Sequence, residues 1–167
     1  MPEKEKVFSS SVKYTGIFSF KDFYKFCHDW LDERTDLFVE ENLYKEKLEG
    51  DAKSVEVQWV AYKKLTDYFK FSSKIKFQII NLKSVELVKD GTKIKTNKGE
   101  AKISVSGTLV RDYDGKFESN AFNKFLRGIY EKWVIPSRIE QMEDKIVGDL
   151  NEFLEQAKAY LDLEGRK

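Results

Sequence analysis

One cysteine, one histidine and two prolines are all that 167 residues contain of these types, and each scarcity removes a class of explanation. The lone thiol, Cys27, excludes an intrachain disulfide and any multi-cysteine zinc site. With His28 as the only imidazole, a metal would have to be held by carboxylates alone, and no loop has the acidic spacing of an EF-hand. The nine glycines are scattered and form neither a dinucleotide fingerprint nor a P-loop, so a nucleotide enzyme of familiar kind is not expected, and no cofactor is. No stretch approaches the roughly 18 consecutive apolar residues of a membrane span. Met1 to Lys6 is charged where a signal peptide would be apolar, so a cytoplasmic protein without a membrane span is expected. A net charge of +1 gives no overall field toward nucleic acid or anionic lipid.

What the chain does have is aromatic and charged residues. Hydrophobic residues make up 41%, with 13 Phe, 8 Tyr and 3 Trp, and charged residues 35%, enough apolar material for one core and enough charge to keep it dissolved. No repeat, low-complexity tract or linker interrupts it, so residues 1–167 read as a single domain with residues 1–10 as a flexible tail. Charge is segregated along the chain. Ala61 to Gly107 holds eleven lysines and four acids, while Asp29 to Asp51 and Arg138 to Glu164 are acidic.

Periodicity places the elements. Residues 12–18 alternate and read as a strand, and Ser19-x-x-Asp22 resembles a capping box opening a helix with Phe20, Phe23, Tyr24, Cys27, Trp30 and Leu31 on one face. Residues 37–47 alternate only in part, and a strand or a short helix fits. After Glu49-Gly50-Asp51 the period-two pattern is strong: Val55, Val57, Trp59 and Ala61 share one strand face, and Phe69, Phe71, Ile75, Phe77 and Ile79 another. Asp90-Gly91 between residues 85–88 and 92–96 is the strongest hairpin signal, Asn97-Lys98-Gly99 reads as a further turn, and residues 101–109 as a last strand. Gly107 inside that strand predicts a bulge or a close backbone approach. The rest is helical: residues 120–134 with a broad apolar face, a break at Pro136, a new start capped by Ser137, and a long stripe through Ile139, Met142, Ile146, Leu150, Phe153, Ala157 and Leu161. The expected fold is α+β, a largely antiparallel sheet of six to seven strands with an N-terminal helix and a long amphipathic C-terminal helix.

This element order is similar to the helix-grip arrangement of START-like and Bet v 1-like domains. The resemblance implies a sheet curled around the last helix. It rests on order and not on a motif, so it carries no functional residue across, and the helix over 120–134 departs from it.

Five groups of residues carry the functional expectations. Cys27-His28 joins a nucleophile to an imidazole, but helix neighbours one apart point about 100° from each other, and Cys27 lies on the apolar face where a thiol acts as a small hydrophobe. The carboxylate clusters, Glu40-Glu41, Asp112 with Asp114, and Glu140, Glu143 and Asp144, read as solvated faces. No catalytic residue is nominated, and the protein is not expected to be an enzyme.

Trp59 and Phe77 from the sheet, with Met142 and Ile146 from the last helix, can line a pocket for a small apolar or amphipathic ligand, or fill a dry core. Opposite the phenylalanines, Tyr68, Lys70, Ser72, Lys74, Lys76 and Gln78 form a basic face. Its lysines, Lys70, Lys74 and Lys76, are the nucleic-acid or acidic-protein alternative, against which stand the absence of arginine from Tyr62 to Val110 and of an exposed stacking platform. An apolar patch at Tyr130, Trp133, Val134 and Ile135 offers a protein partner or a second copy of the chain. The expected partner is therefore a small hydrophobic ligand first, a protein second and nucleic acid last.

Overall fold

Alternation along the chain builds one antiparallel sheet with both helices on the same face. The computed structural model describes residues 3–65, 69–111 and 136–165. Its elements are β1 (Glu3–Phe18), α1 (Phe20–Arg34), β2 (Phe38–Glu49), β3 (Ala52–Lys64), β4 (Phe69–Lys89), β5 (Thr92–Arg111) and α2 (Pro136–Gly165). The five strands are ordered β1-β5-β4-β3-β2, every neighbouring pair antiparallel. This is an α+β fold with a C-terminal helix, compatible with a helix grip.

Two expectations about the strands need correction. Among the described residues the sheet has five strands, not six or seven. Asn97-Lys98-Gly99 does not turn: β5 runs through it, and β4 likewise joins what alternation divided at residue 80. Both strands bend there instead. The β4–β5 register shifts between Ile80 and Lys83, with Asn81 at φ 54°. A Cβ on Gly99 would meet the Ile80 carbonyl oxygen at 3.0 Å, so the glycine admits the bend by close approach. Asn97 has a separate role, its Oδ1 accepting from the Phe20 N–H at 3.1 Å and anchoring the first turn of α1. The tail expected over residues 1–10 is the second correction. From Glu3 onward this segment pairs with β5, Glu3 opposite Arg111.

Turn and cap chemistry otherwise follow the residues. Ser19 caps α1, its Oγ accepting from the Asp22 N–H at 3.4 Å. Asp90 and Gly91, at φ 53° and 78°, are both left-handed, as a two-residue hairpin loop of the primed type requires. Gly50 opens the β2–β3 hairpin in the same way at φ 68°. Pro136 begins α2, where its missing N–H has no helical partner to lose. The expected helix over 120–134, its apolar patch, Tyr68, Asp112 and Asp114, and the side chains of Ser137 and Ile139 lie outside the described residues.

The core lies between the sheet and the two helices. α1 buries Phe20, Phe23, Cys27, Trp30 and Leu31, and α2 buries Ile146, Leu150, Phe153, Leu154, Ala157 and Leu161. Aromatic contacts join the two helices: Phe26 stacks on Tyr160 at 4.5 Å, and Trp30 meets Phe153 at 5.8 Å. Lys158 Nζ donates to the Lys13 carbonyl at 2.6 Å, tying α2 to the edge strand β1.

Candidate functional site

The four residues expected to line one pocket fall in two places. Trp59 and Phe77 are each 1% exposed, their rings 4.7 Å apart. They are roofed by α1: Tyr24 lies 5.2 Å and His28 5.6 Å from Trp59, and Phe23 6.2 Å from Phe77. Met142 and Ile146 instead face a separate cleft of about 70 Å³ at the end of the sheet, completed by Asp36, Leu37, Lys63, Leu65, Lys145 and Asp149. Trp59 and Phe77 do not line it.

This cleft has an apolar floor and a charged mouth. Leu37, Leu65, Met142 and Ile146 supply the floor. At the mouth Asp36 accepts from Lys63 Nζ at 3.3 Å and from Lys145 Nζ at 3.4 Å, so one carboxylate bridges the segment after α1, the end of β3 and the first half of α2. Hydrogen bonds from Lys63 and then Lys145 hold the Asp36 carboxyl below its usual range. Asp149 is pushed the other way, chiefly by burial, with Lys145 opposing.

The pH consequence follows from the direction of the Asp36 shift. A carboxyl whose folded pKa lies below its unfolded value adds stability above the unfolded value, about 3.9, and loses it as pH falls through the folded one. Asp36→Asn is therefore expected to narrow the stability gap to the parent protein as pH drops below about 4, read by denaturation at stepped pH. A gap that stays constant from pH 7 to pH 2 contradicts the bridge. Asp36 is exposed, so the effect is small in size.

One residue pair from this cleft, the inner sheet face carries a row of small side chains, Ala61, Ser73 and Gly107, next to the Lys63–Phe71 pair. Ser73 is fully buried, and among the described residues its Oγ has no hydrogen-bond partner. An unsatisfied buried hydroxyl costs about 1 to 3 kcal/mol. Ser73→Ala is accordingly expected to raise stability by about 1 kcal/mol in chemical denaturation, and a loss of similar size would show that the hydroxyl is bonded.

The thiol and the phenols near α1 serve packing. Cys27 is fully buried and burial pushes its thiol well up, so it behaves as a small hydrophobe, while His28 beside it is exposed. The Tyr24 hydroxyl donates to Glu41, and the Tyr44 hydroxyl to Glu46 at 2.8 Å. Burial and then those carboxylates push both phenols up to about 12, so both stay protonated as donors, Tyr24 tying α1 to β2 and Tyr44 bonding within β2. The three candidate lysines lie on the other face of the sheet. Lys70 sits 4.7 Å over the Tyr62 ring, Lys76 pairs with Glu56 at 3.3 Å, and Lys74 is exposed.

Of the cleft, the sequence offered Met142 and Ile146 through the apolar stripe. Asp36, Lys63 and Lys145 gave no signal, because 27 and 109 residues separate the two lysines from their shared carboxylate. Among the described residues no helix is long and apolar enough to cross a membrane. No known family model matches the chain, and no curated protein matches it by sequence.

Proposed function

We propose that the protein is a non-catalytic binding domain that holds a small amphipathic anion in the cleft between the end of the sheet and α2. The observation that carries this reading is the pairing of an apolar floor with two ammonium groups sharing one exposed carboxylate at the mouth. A ligand carboxylate can take the place of Asp36 between Lys63 and Lys145, while its apolar end covers Leu37, Leu65 and Ile146. The compatibility of the fold with a helix grip supports the same location, since there the sheet and the last helix face each other. Ser73, one row deeper, offers a hydroxyl that is unpaired among the described residues to a polar group that reaches it.

Size limits the ligand. The 70 Å³ cleft is less than half of the ~150 Å³ that accommodates a benzene ring, so the buried end is about three or four carbons. At about 0.8 kcal/mol per buried methylene, butanoate is expected to bind in the millimolar range.

The test is NMR titration with butanoate and with butanol, following the Ile146 methyls, which line the cleft in every variant. Butanoate should bind more tightly than butanol, Asp36→Asn should strengthen it by removing the competing charge, and Met142→Trp should abolish it. Replacing Lys63 and Lys145 together by glutamine should erase the preference for the anion. The reading fails if neither the parent protein nor Asp36→Asn takes up butanoate.

A further inference from the structure

The sheet face turned away from the helices carries a second concavity, of about 340 Å³, to which all five strands contribute. Strand register explains it. Ser9, Ser106 and Lys74 stand side by side in one row across β1, β5 and β4, and Ser104, Lys76 and Gln58 in the next across β5, β4 and β3. Short serine side chains leave a trough between longer neighbours. On β2 the register shifts between Glu41 and Leu43, and the extra residue, Asn42, lines the same trough. A bulge is a means of re-aiming one side chain, and here it brings an amide to the site.

The chemistry of the lining selects among ligands. Among the described residues no carboxylate lines the trough. Lys74 makes no ion pair among the described residues, and Lys76 shares its charge with Glu56 beyond the lining. The hydroxyls and amides can each donate and accept. Trp59, Ile75 and Val105 border the trough, but their side chains are buried on the opposite face, so no ring is available for a base to stack upon. That argues against single-stranded nucleic acid. The polar lining equally argues against a second sheet packing there. The volume lies within the roughly 300 to 1,000 Å³ of small-molecule sites.

We propose that this trough binds a small phosphate monoester carrying a polyol, the chemistry of a phosphorylated sugar. Lys74 and Lys76 receive the phosphate dianion as point charges, and the serines, Gln58 and Asn42 bond to the polyol hydroxyls. The site lies on the face of the sheet opposite the butanoate cleft and does not depend on it.

Calorimetric titration of the full chain with glucose 6-phosphate, glucose, inorganic phosphate and a twelve-residue oligothymidylate tests the assignment. Glucose 6-phosphate should bind about tenfold more tightly than glucose or inorganic phosphate, one such factor for each half of the ligand lost. Lys74→Gln should weaken it about tenfold, the loss of one charge-assisted contact, while Lys70→Gln, outside the trough, should leave it within about twofold. Both positions face solvent, and circular dichroism should show each variant folded as the parent protein is. Absence of binding, equal binding of inorganic phosphate, indifference to Lys74→Gln or tighter binding of the oligonucleotide would each overturn the proposal, the last in favour of a polyanion surface.

Discussion

Trp59→Ala is expected to lower stability by about 3 to 5 kcal/mol in chemical denaturation, without change in the denaturant dependence. Trp59 is 1% exposed and meets Tyr24, His28 and Phe77 edge to face within 5.6 Å, so truncation empties the space between β3 and α1 and forfeits three aromatic contacts at once. The neighbours cannot collapse into the gap. Phe77 and Val57 sit on fixed sheet positions, and Tyr24 is held to Glu41 by its hydroxyl. A native domain has only about 5 to 15 kcal/mol in hand, so the variant should be close to unfolded at elevated temperature. A loss below about 1 kcal/mol would mean that the indole lies elsewhere.

Trp59 also marks how far alternation can be trusted. Val55, Val57, Trp59 and Ala61 are all buried on one face, as are Phe69, Phe71, Ile75, Phe77 and Ile79, because a strand of period two in a sheet covered on one side leaves no other arrangement. The stripe on α2 was legible for the same reason, and Ser19 announced α1. What alternation does not encode is continuity. Asn81 and Gly99 have turn chemistry, yet they bend paired strands rather than end them, and only the partner strand decides between those outcomes. Nor does it encode which part of a helix faces which strand. Apolar, inward patterning alone pairs Trp59 with Met142, but α1 lies over Trp59 while the first half of α2 reaches Leu37 and Leu65. The charged mouth of that cleft depends on this crossing and was therefore invisible in the sequence. The outer lysines were legible as a face, whereas their division into Lys74 and Lys76 in a trough and Lys70 on Tyr62 follows from register.

Gly107→Val is expected to cost about 1 to 3 kcal/mol, even though valine suits a strand better than glycine does. A close approach was the alternative to a bulge at this position, and the approach is what occurs. Phe71 stands opposite Leu109 on the neighbouring strand and leans diagonally onto Gly107, where an added Cβ would lie 2.6 Å from the ring Cζ. The register shift in this region falls on β1, between Lys6 and Phe8, and leaves β5 regular against β4. Phe71 is fully buried, so its ring cannot swing into solvent to make room. The cause is thus steric and local, which a double-mutant cycle can isolate. Phe71→Leu shortens the ring by the atoms that clash and should recover much of the loss in the Gly107→Val background, while destabilising the parent protein by opening a space beside Gly107. The two changes should couple by about 0.5 to 3 kcal/mol, with the double variant more stable than the sum of the singles. Strict additivity would place the aromatic ring away from the glycine and return the bulge as the reason for Gly107.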